Sequence, residues 1–212
     1  MRTVDLIALL ARDVRMTPAG AATRKLLMGL AVGGAVTLAL VVLGLHCQPL
    51  EAAARQPWFW MKASYTGLLT VAAAITVRRL AVPGRRPGIA PAVALLIILA
   101  MIGLGAGQIL AASSATRLDL WLGHTWKICS PLILLLALPI YGCEVVALRA
   151  LAPTRPAVAG AAAGLAAGAL AATFYGLHCP EQAAAFVATW YTLGIAAATA
   201  LGAALGARLL RW

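Results

Sequence analysis

Acidic side chains are nearly missing from this sequence: 6 Asp and Glu stand among 212 residues, and charged residues of both signs make up only 11%. A soluble domain carries roughly 25% charged residues, so this chain cannot build a water-facing surface of ordinary size. Catalytic signatures are missing as well. There is no HExxH, no GxSxG, no P-loop and no GxGxxG following a strand. The few carboxylates sit singly, without a partner for acid–base work, and an enzyme is not expected. No CxxC pair occurs, which leaves no ordinary structural zinc site. The N-terminus also lacks a short apolar run with a small-residue cleavage site. Residues 1–25 are polar and of mixed charge, so nothing reads as a removable leader.

Hydrocarbon is what the chain has in excess. Hydrophobic residues make up 63% and the mean hydropathy is +0.93, beyond what one water-soluble core can hide. A bilayer core about 30 Å thick needs about 20 apolar residues in helical form. Six stretches qualify: Leu26 to Leu45, Phe59 to Val77, Ala90 to Ala112, Ile128 to Leu148, Ala157 to Leu177 and Ala183 to Ala207. They are continuously apolar and do not alternate, which excludes a transmembrane barrel. The expected fold is an all-α integral membrane protein, a bundle of six transmembrane helices spanning residues 26–212 after a 25-residue cytoplasmic segment.

Lys and Arg give the orientation. One side holds Arg2, Arg12, Arg15, Arg24 and Lys25, the second loop's Arg78, Arg79, Arg85 and Arg86, then Arg149, Arg155, Arg208 and Arg211. The other side holds Arg55, Lys62, Arg117 and Lys127. Both termini are therefore expected in the cytoplasm of a bacterial inner membrane, with outer loops at about 46–58, 113–127 and 178–183. The net charge of +11 is mostly this topology signal, so direct binding to nucleic acid is not expected.

Glycines recur at four-residue spacing: Gly29 and Gly33, Gly103 and Gly107, Gly202 and Gly206, and the triple Gly160, Gly164 and Gly168. Small residues so spaced let helix backbones approach closely in lipid, although an Ala/Gly-rich chain produces some such pairs by chance. The triple is the best candidate for a contact seam. Such seams serve packing within and between chains alike, so the oligomeric state stays open. Pro131 and Pro139 are expected to kink the fourth span. Glu144 is the main ionisable group inside the spans, with Arg149 near enough to pair with it. The shortage of such groups argues against a transporter, whose pathway needs them at mid-membrane.

Chemistry is concentrated at two places. On the expected outer face, Cys47, Cys129 and Cys179 gather with His46, His124 and His178. Thiolate and imidazole suit soft metals, and thiols in an oxidising compartment form disulfides. Equally, these residues serve as small interfacial hydrophobes and polar anchors. In the tail, Val4, Ile7, Leu10 and Val14 share one helical face opposite Asp5, Arg12 and Asp13. Thr17-Pro18-Ala19-Gly20 ends that helix. Its mixed-sign polar face favours a protein partner over a lipid surface, which attracts cationic faces. A short echo, Gly44-Leu45-His46-Cys47 and Gly176-Leu177-His178-Cys179, suggests related hairpins.

These residues carry a resemblance over essentially the whole chain. Asp5-Leu6-Ile7 with Leu9-Leu10, Phe59-Trp60-Met61-Lys62, Trp126-Lys127-Ile128-Cys129, Leu136-Ala137-Leu138-Pro139 and Leu151-Ala152-Pro153-Thr154-Arg155 all belong to it. So do Leu177-His178-Cys179-Pro180-Glu181, Trp190-Tyr191-Thr192-Leu193-Gly194 and Leu209-Leu210-Arg211-Trp212. The chain resembles the NrsF family of bacterial inner-membrane anti-sigma factors. The resemblance implies a six-span protein that sequesters an extracytoplasmic-function sigma factor through its cytoplasmic face, with Asp5, Leu6, Ile7, Leu9 and Leu10 at the contact. It implies release under heavy-metal or oxidative stress sensed by two outer cysteines, here Cys129 and Cys179. His178 and Glu181 are candidate helpers, and Cys47 is an additional outer thiol that departs from the family pattern. No cofactor is required; transient heavy-metal ligation is the exception. The rival readings are a small transporter or metal-capture protein using the same His/Cys set, and a structural scaffold.

Overall fold

A computed structural model describes residues 3, 5, 20–45 and 47–211. Of the tail residues expected at the sigma contact, Asp5 is described and exposed, while Leu6, Ile7, Leu9 and Leu10 lie outside the described residues, as does His46. The fold is helical, with no strand among the described residues. The elements are α1 (Ala21–Gly44), α2 (Leu50–Ala54), α3 (Pro57–Leu80), α4 (Ala90–Ala111), α5 (Ser114–Leu122), α6 (Trp126–Arg149), α7 (Pro156–Tyr175) and α8 (Ala184–Leu209). Gly20, at φ 89°, turns the chain into α1 in a conformation that only glycine adopts freely. The expected first and second outer loops, at about 46–58 and 113–127, contain helices, α2 and α5.

Among the described residues, five helices or helix pairs are long and apolar enough to cross a membrane: α1, α4, α5–α6, α7 and α8. The sixth expected stretch, Phe59 to Val77, falls inside α3. This helix has 24 residues, about 36 Å of rise, but Lys62 and several hydroxyl residues dilute its hydropathy. Those groups are spent internally. Thr66, Thr70 and Thr76 each donate to the carbonyl four residues back, at 2.8–2.9 Å. Thr173 of α7 donates to Thr66 Oγ1 at 2.9 Å.

At the centre of the bundle stands α7, packed on α8 most extensively and also on α3 and α6. It can be central because it is thin. From Ala159 to Ala169 only Leu165 is larger than alanine, and a Cβ added to Gly160 would meet Gly206 Cα at 2.7 Å. The triple glycine is a filled seam, with Gly164 against Ala198 and Thr199 and Gly168 against Ala198 and Ile195. Gly29 and Gly33 likewise seat α1 on α6, at Cys143 and Ile140. Gly103 and Gly107, at the same spacing, face open space. Both prolines lie inside a continuous α6. Thr37 of α1 donates to the Leu136 carbonyl at 3.0 Å, supplying a donor just ahead of Pro139, where the ladder is weakened. Arg149 does not pair with Glu144; its Nε donates to the Leu209 carbonyl at 2.8 Å.

The packing gives the bundle two distinct ends. One carries the starts of α1, α7 and the finish of α3, α6 and α8, with Arg78, Arg79, Arg149 and Arg155. The other carries the turns between α1 and α3, α5 and α6, and α7 and α8, and it holds the thiols.

Candidate functional site

The two cysteines singled out by resemblance come together although 50 residues separate them in the chain. Cys129 sits in the first turn of α6, its N–H donating to the Thr125 carbonyl at 3.0 Å. Cys179 follows α7, in a tight turn where the N–H groups of His178 and Cys179 both donate to the Tyr175 carbonyl at 3.0 Å. Both side chains are 0% exposed, and both are free thiols. They hydrogen-bond to each other, with Tyr175 and Tyr191 against them.

Two groups pin the short loop that carries Cys179. Glu181 reaches α6, where its Oε1 accepts from His124 N at 2.7 Å, Thr125 N at 3.0 Å and Thr125 Oγ1 at 3.2 Å. A carboxylate on these donors satisfies the free N–H groups of a helix start and complements its dipole. Gly123, at φ 58°, makes room for it, since a Cβ there would lie 2.6 Å from Glu181 Oε2. From the other side, Lys62 of α3 donates to the carbonyls of Cys179 at 2.9 Å and Glu181 at 3.0 Å. The ammonium also stands 4.5 Å from the centre of the Trp58 ring. Lys62 is 2% exposed.

The thiols are electrostatically unequal. The Cys129 thiol, the Lys62 charge and the Glu181 N–H draw the Cys179 thiol below its ordinary value, against burial, which pushes it up. A lowered thiol pKa favours Cys179 as the attacking sulfur of the pair. The buried Tyr191 hydroxyl lies beside Cys179 and completes no hydrogen bond. It is held there by a π-helical stretch, Val187–Tyr191, inside α8, a local widening often found at functional sites.

The remaining candidates are placed more loosely. Cys47 is exposed, its Sγ directed at the Val41 carbonyl 3.9 Å away. The adjoining Gln48 donates to the carbonyls of Leu177 at 3.0 Å and His178 at 3.2 Å, so the echoing segments lie side by side. His178 stacks on Tyr175 at 5.8 Å. His124 is almost wholly exposed, with Nδ1 3.9 Å from Glu181 Oε1. Among the described residues no three His, Cys, Asp or Glu side chains form a metal-holding group. What the geometry offers a soft ion is two thiols.

Sequence reasoning places Lys62 and Tyr191 in motifs shared with the family but not at the thiols, and does not find Tyr175. Lys62 was counted as a loop charge. Its position just inside an apolar run was the signal, because an ionisable residue within a span demands a partner.

A family model described as "Negative regulator of sigma F" (NrsF) matches residues 10–212. The protein named "Anti-sigma-F factor NrsF" of Caulobacter vibrioides is 43% identical over 217 residues, covering all of both chains. The "Probable anti-sigma-F factor NrsF" of Azospira oryzae is 38% identical over 214 residues, again covering both completely. No solved structure matches. With a thiol pocket built from the residues that carry the likeness, and relatives alike from end to end, this chain belongs to the NrsF family.

Proposed function

We propose that this protein is a membrane anti-sigma factor. It holds an extracytoplasmic-function sigma factor at the cytoplasmic face of the bacterial inner membrane and releases it when the outer thiol pair is oxidised or takes up a soft metal. In this reading six helices span the bilayer, α3 among them, both termini are cytoplasmic, and the thiol end faces outward. The tail around Asp5, Leu6, Ile7, Leu9 and Leu10 makes the sigma contact. Membership of a family of negative regulators supports the regulatory role.

The observation that supports the sensing half is the meeting of two fully buried free thiols carried on separate elements. Oxidation by a hydroperoxide balances as follows. The Cys179 thiolate attacks the peroxide oxygen, expels the alcohol and becomes a sulfenic acid. The Cys129 sulfur then displaces its hydroxyl, which leaves as water once the thiol proton is counted. Two thiols and one peroxide give a disulfide, an alcohol and water. A two-coordinate ion such as Cu(I) replaces the two thiol protons instead. The disulfide draws the two sulfurs together to about 2 Å, and the metal imposes its own S–metal–S geometry; either product displaces the loop pinned by Lys62 and Glu181. Tightly packed helices respond to such shifts by moving between discrete arrangements.

The test is a pull-down of tagged full-length protein from native membranes before and after peroxide or cadmium. We expect the wild type to retain a sigma factor and shed it on stress. A Cys129→Ser, Cys179→Ser double variant should retain it throughout. Release from the double variant equal to wild type would refute the sensing half, and absence of any sigma factor from the unstressed bait would refute the anti-sigma reading.

A further inference from the structure

A cavity of about 350 Å³ opens between α1 and α3 at the basic end of the bundle. It exists because these two helices scarcely touch: α1 leans on α6 and α3 on α7. Leu26, Leu27 and Leu30 form one wall, and Val71, Ala74 and Ile75 the other. Leu27 and Val71 are each 57% exposed, so the apolar wall continues out to the surface that lipid covers in a spanning bundle.

Two charged side chains interrupt this hydrocarbon lining. Arg78, in the last turn of α3, is exposed, and Glu144 of α6 is 1% exposed. No ion pair joins them, and Arg149, the expected partner of Glu144, is engaged with the Leu209 carbonyl. Glu144 Oε1 completes no hydrogen bond, although the Leu30 backbone of α1 lies close to the carboxyl. Space for the carboxyl is set by Gly29, where a Cβ would stand 2.9 Å from that oxygen. A buried carboxyl oxygen without a donor is costly, and a cavity with such a group in its lining is a place for a ligand that brings the donor.

The ligand must satisfy three requirements together: an N–H cation for Glu144, an anion for Arg78, and hydrocarbon for the outer wall. A free metal ion or a phosphate meets only one. We infer that this cavity binds the headgroup of an amine-bearing phospholipid, phosphatidylethanolamine in kind. Its ammonium donates to Glu144, its phosphate meets Arg78, and its acyl chains lie along Leu27, Val71 and Ile75. Basic pockets between helix ends are known to take phospholipid headgroups; the buried acceptor here adds a demand for N–H donors. Phosphatidylcholine has the same phosphate and chains, but its quaternary ammonium has no N–H. Phosphatidylglycerol has the phosphate and no cation. The inference rests on the chain spanning a membrane and is independent of what the thiols sense.

Native mass spectrometry of the full-length protein, with the three lipids at matched acyl chains, tests it. The ethanolamine lipid should be retained about tenfold better than the other two, as one charge-assisted hydrogen bond implies. Glu144→Gln should reduce it to the level of phosphatidylcholine, and Arg78→Gln should weaken all three alike. Ala74→Leu fills the cavity with Glu144 intact and should displace the lipid, which covers the case in which Glu144→Gln fails to fold. Soluble phosphoethanolamine at millimolar concentration should not compete. Equal retention of the ethanolamine and choline lipids, undiminished retention in the variants, or displacement by phosphoethanolamine would each overturn the inference.

Discussion

One thiol donating to another makes a pair of identical residues chemically different, and that difference can be measured one side chain at a time. Both thiols are 0% exposed and are reached only when the loop opens. The lowered value of Cys179 should therefore show as faster alkylation of Cys179 than of Cys129 by a small maleimide at pH 7. The rate should fall only as pH drops through the lowered value, where a free cysteine has already lost about tenfold per unit from pH 8.5. Removing the donor raises that value. Cys129→Ala should therefore slow Cys179 labelling at pH 7, whereas Cys129→Ser, which keeps an O–H donor, should slow it less. Equal rates in the two variants would assign the acidification to Lys62 and the Glu181 N–H instead. Glu181 has a different job: its Oε1 collects three donors from residues 124 and 125. Glu181→Ala should cost about 2 kcal/mol, read as a lowered Tm in detergent, and Glu181→Gln distinctly less. At this scale the outer cluster of Cys47, Cys129 and Cys179 was legible from position along the spans, and family likeness selected Cys129 and Cys179 from it. Their shell was not legible, because Lys62, Tyr175 and Tyr191 are scattered along the chain and belong to residue types common at any membrane interface.

Helices raise the question of which small residues are in contact. Four-residue spacing marks a stripe but does not say whether another helix fills it. Gly160 faces Gly206 across α7 and α8, while Gly103 and Gly107 meet nothing within 4 Å. Gly160→Ala should then destabilise by about 1–3 kcal/mol through overpacking. Gly107→Ala should be neutral, or gain up to about 1 kcal/mol of helix propensity. Thermal unfolding of the two variants in one detergent checks the contrast, and equal losses would contradict the packing. The sequence could not separate these cases, since what fills a stripe is decided by a partner more than 40 residues away. The same reason hides the π-helical turn that aims Tyr191. The extent of α3 was readable, but its hydropathy understates it, because its threonines bond back to their own helix and Lys62 to a neighbouring loop.

Across the whole molecule, composition and charge distribution fixed the class of fold, and the two ends of the bundle agree with the division of basic residues between loops. The six-span topology has its own test. In intact cells an impermeant maleimide should label Cys47, which is exposed at the thiol end. A cysteine introduced by Arg86→Cys should be reached only after the membrane is opened. Labelling of both from outside would contradict the orientation and, with it, a sigma factor held at the basic end.

The helix that joins those ends has one more property, which follows from its composition. Between Ala159 and Ala169 it is alanine and glycine apart from Leu165, residues without rotamers to exchange. A side chain that cannot change state cannot take up slack. Along that stretch α7 meets α8 largely through backbone atoms at Gly160 and Gly164, with few side chains between the helices to rearrange. A push at Tyr175, under the thiols, arrives at Pro156 as a displacement of the whole rod instead of dying away in local rearrangements.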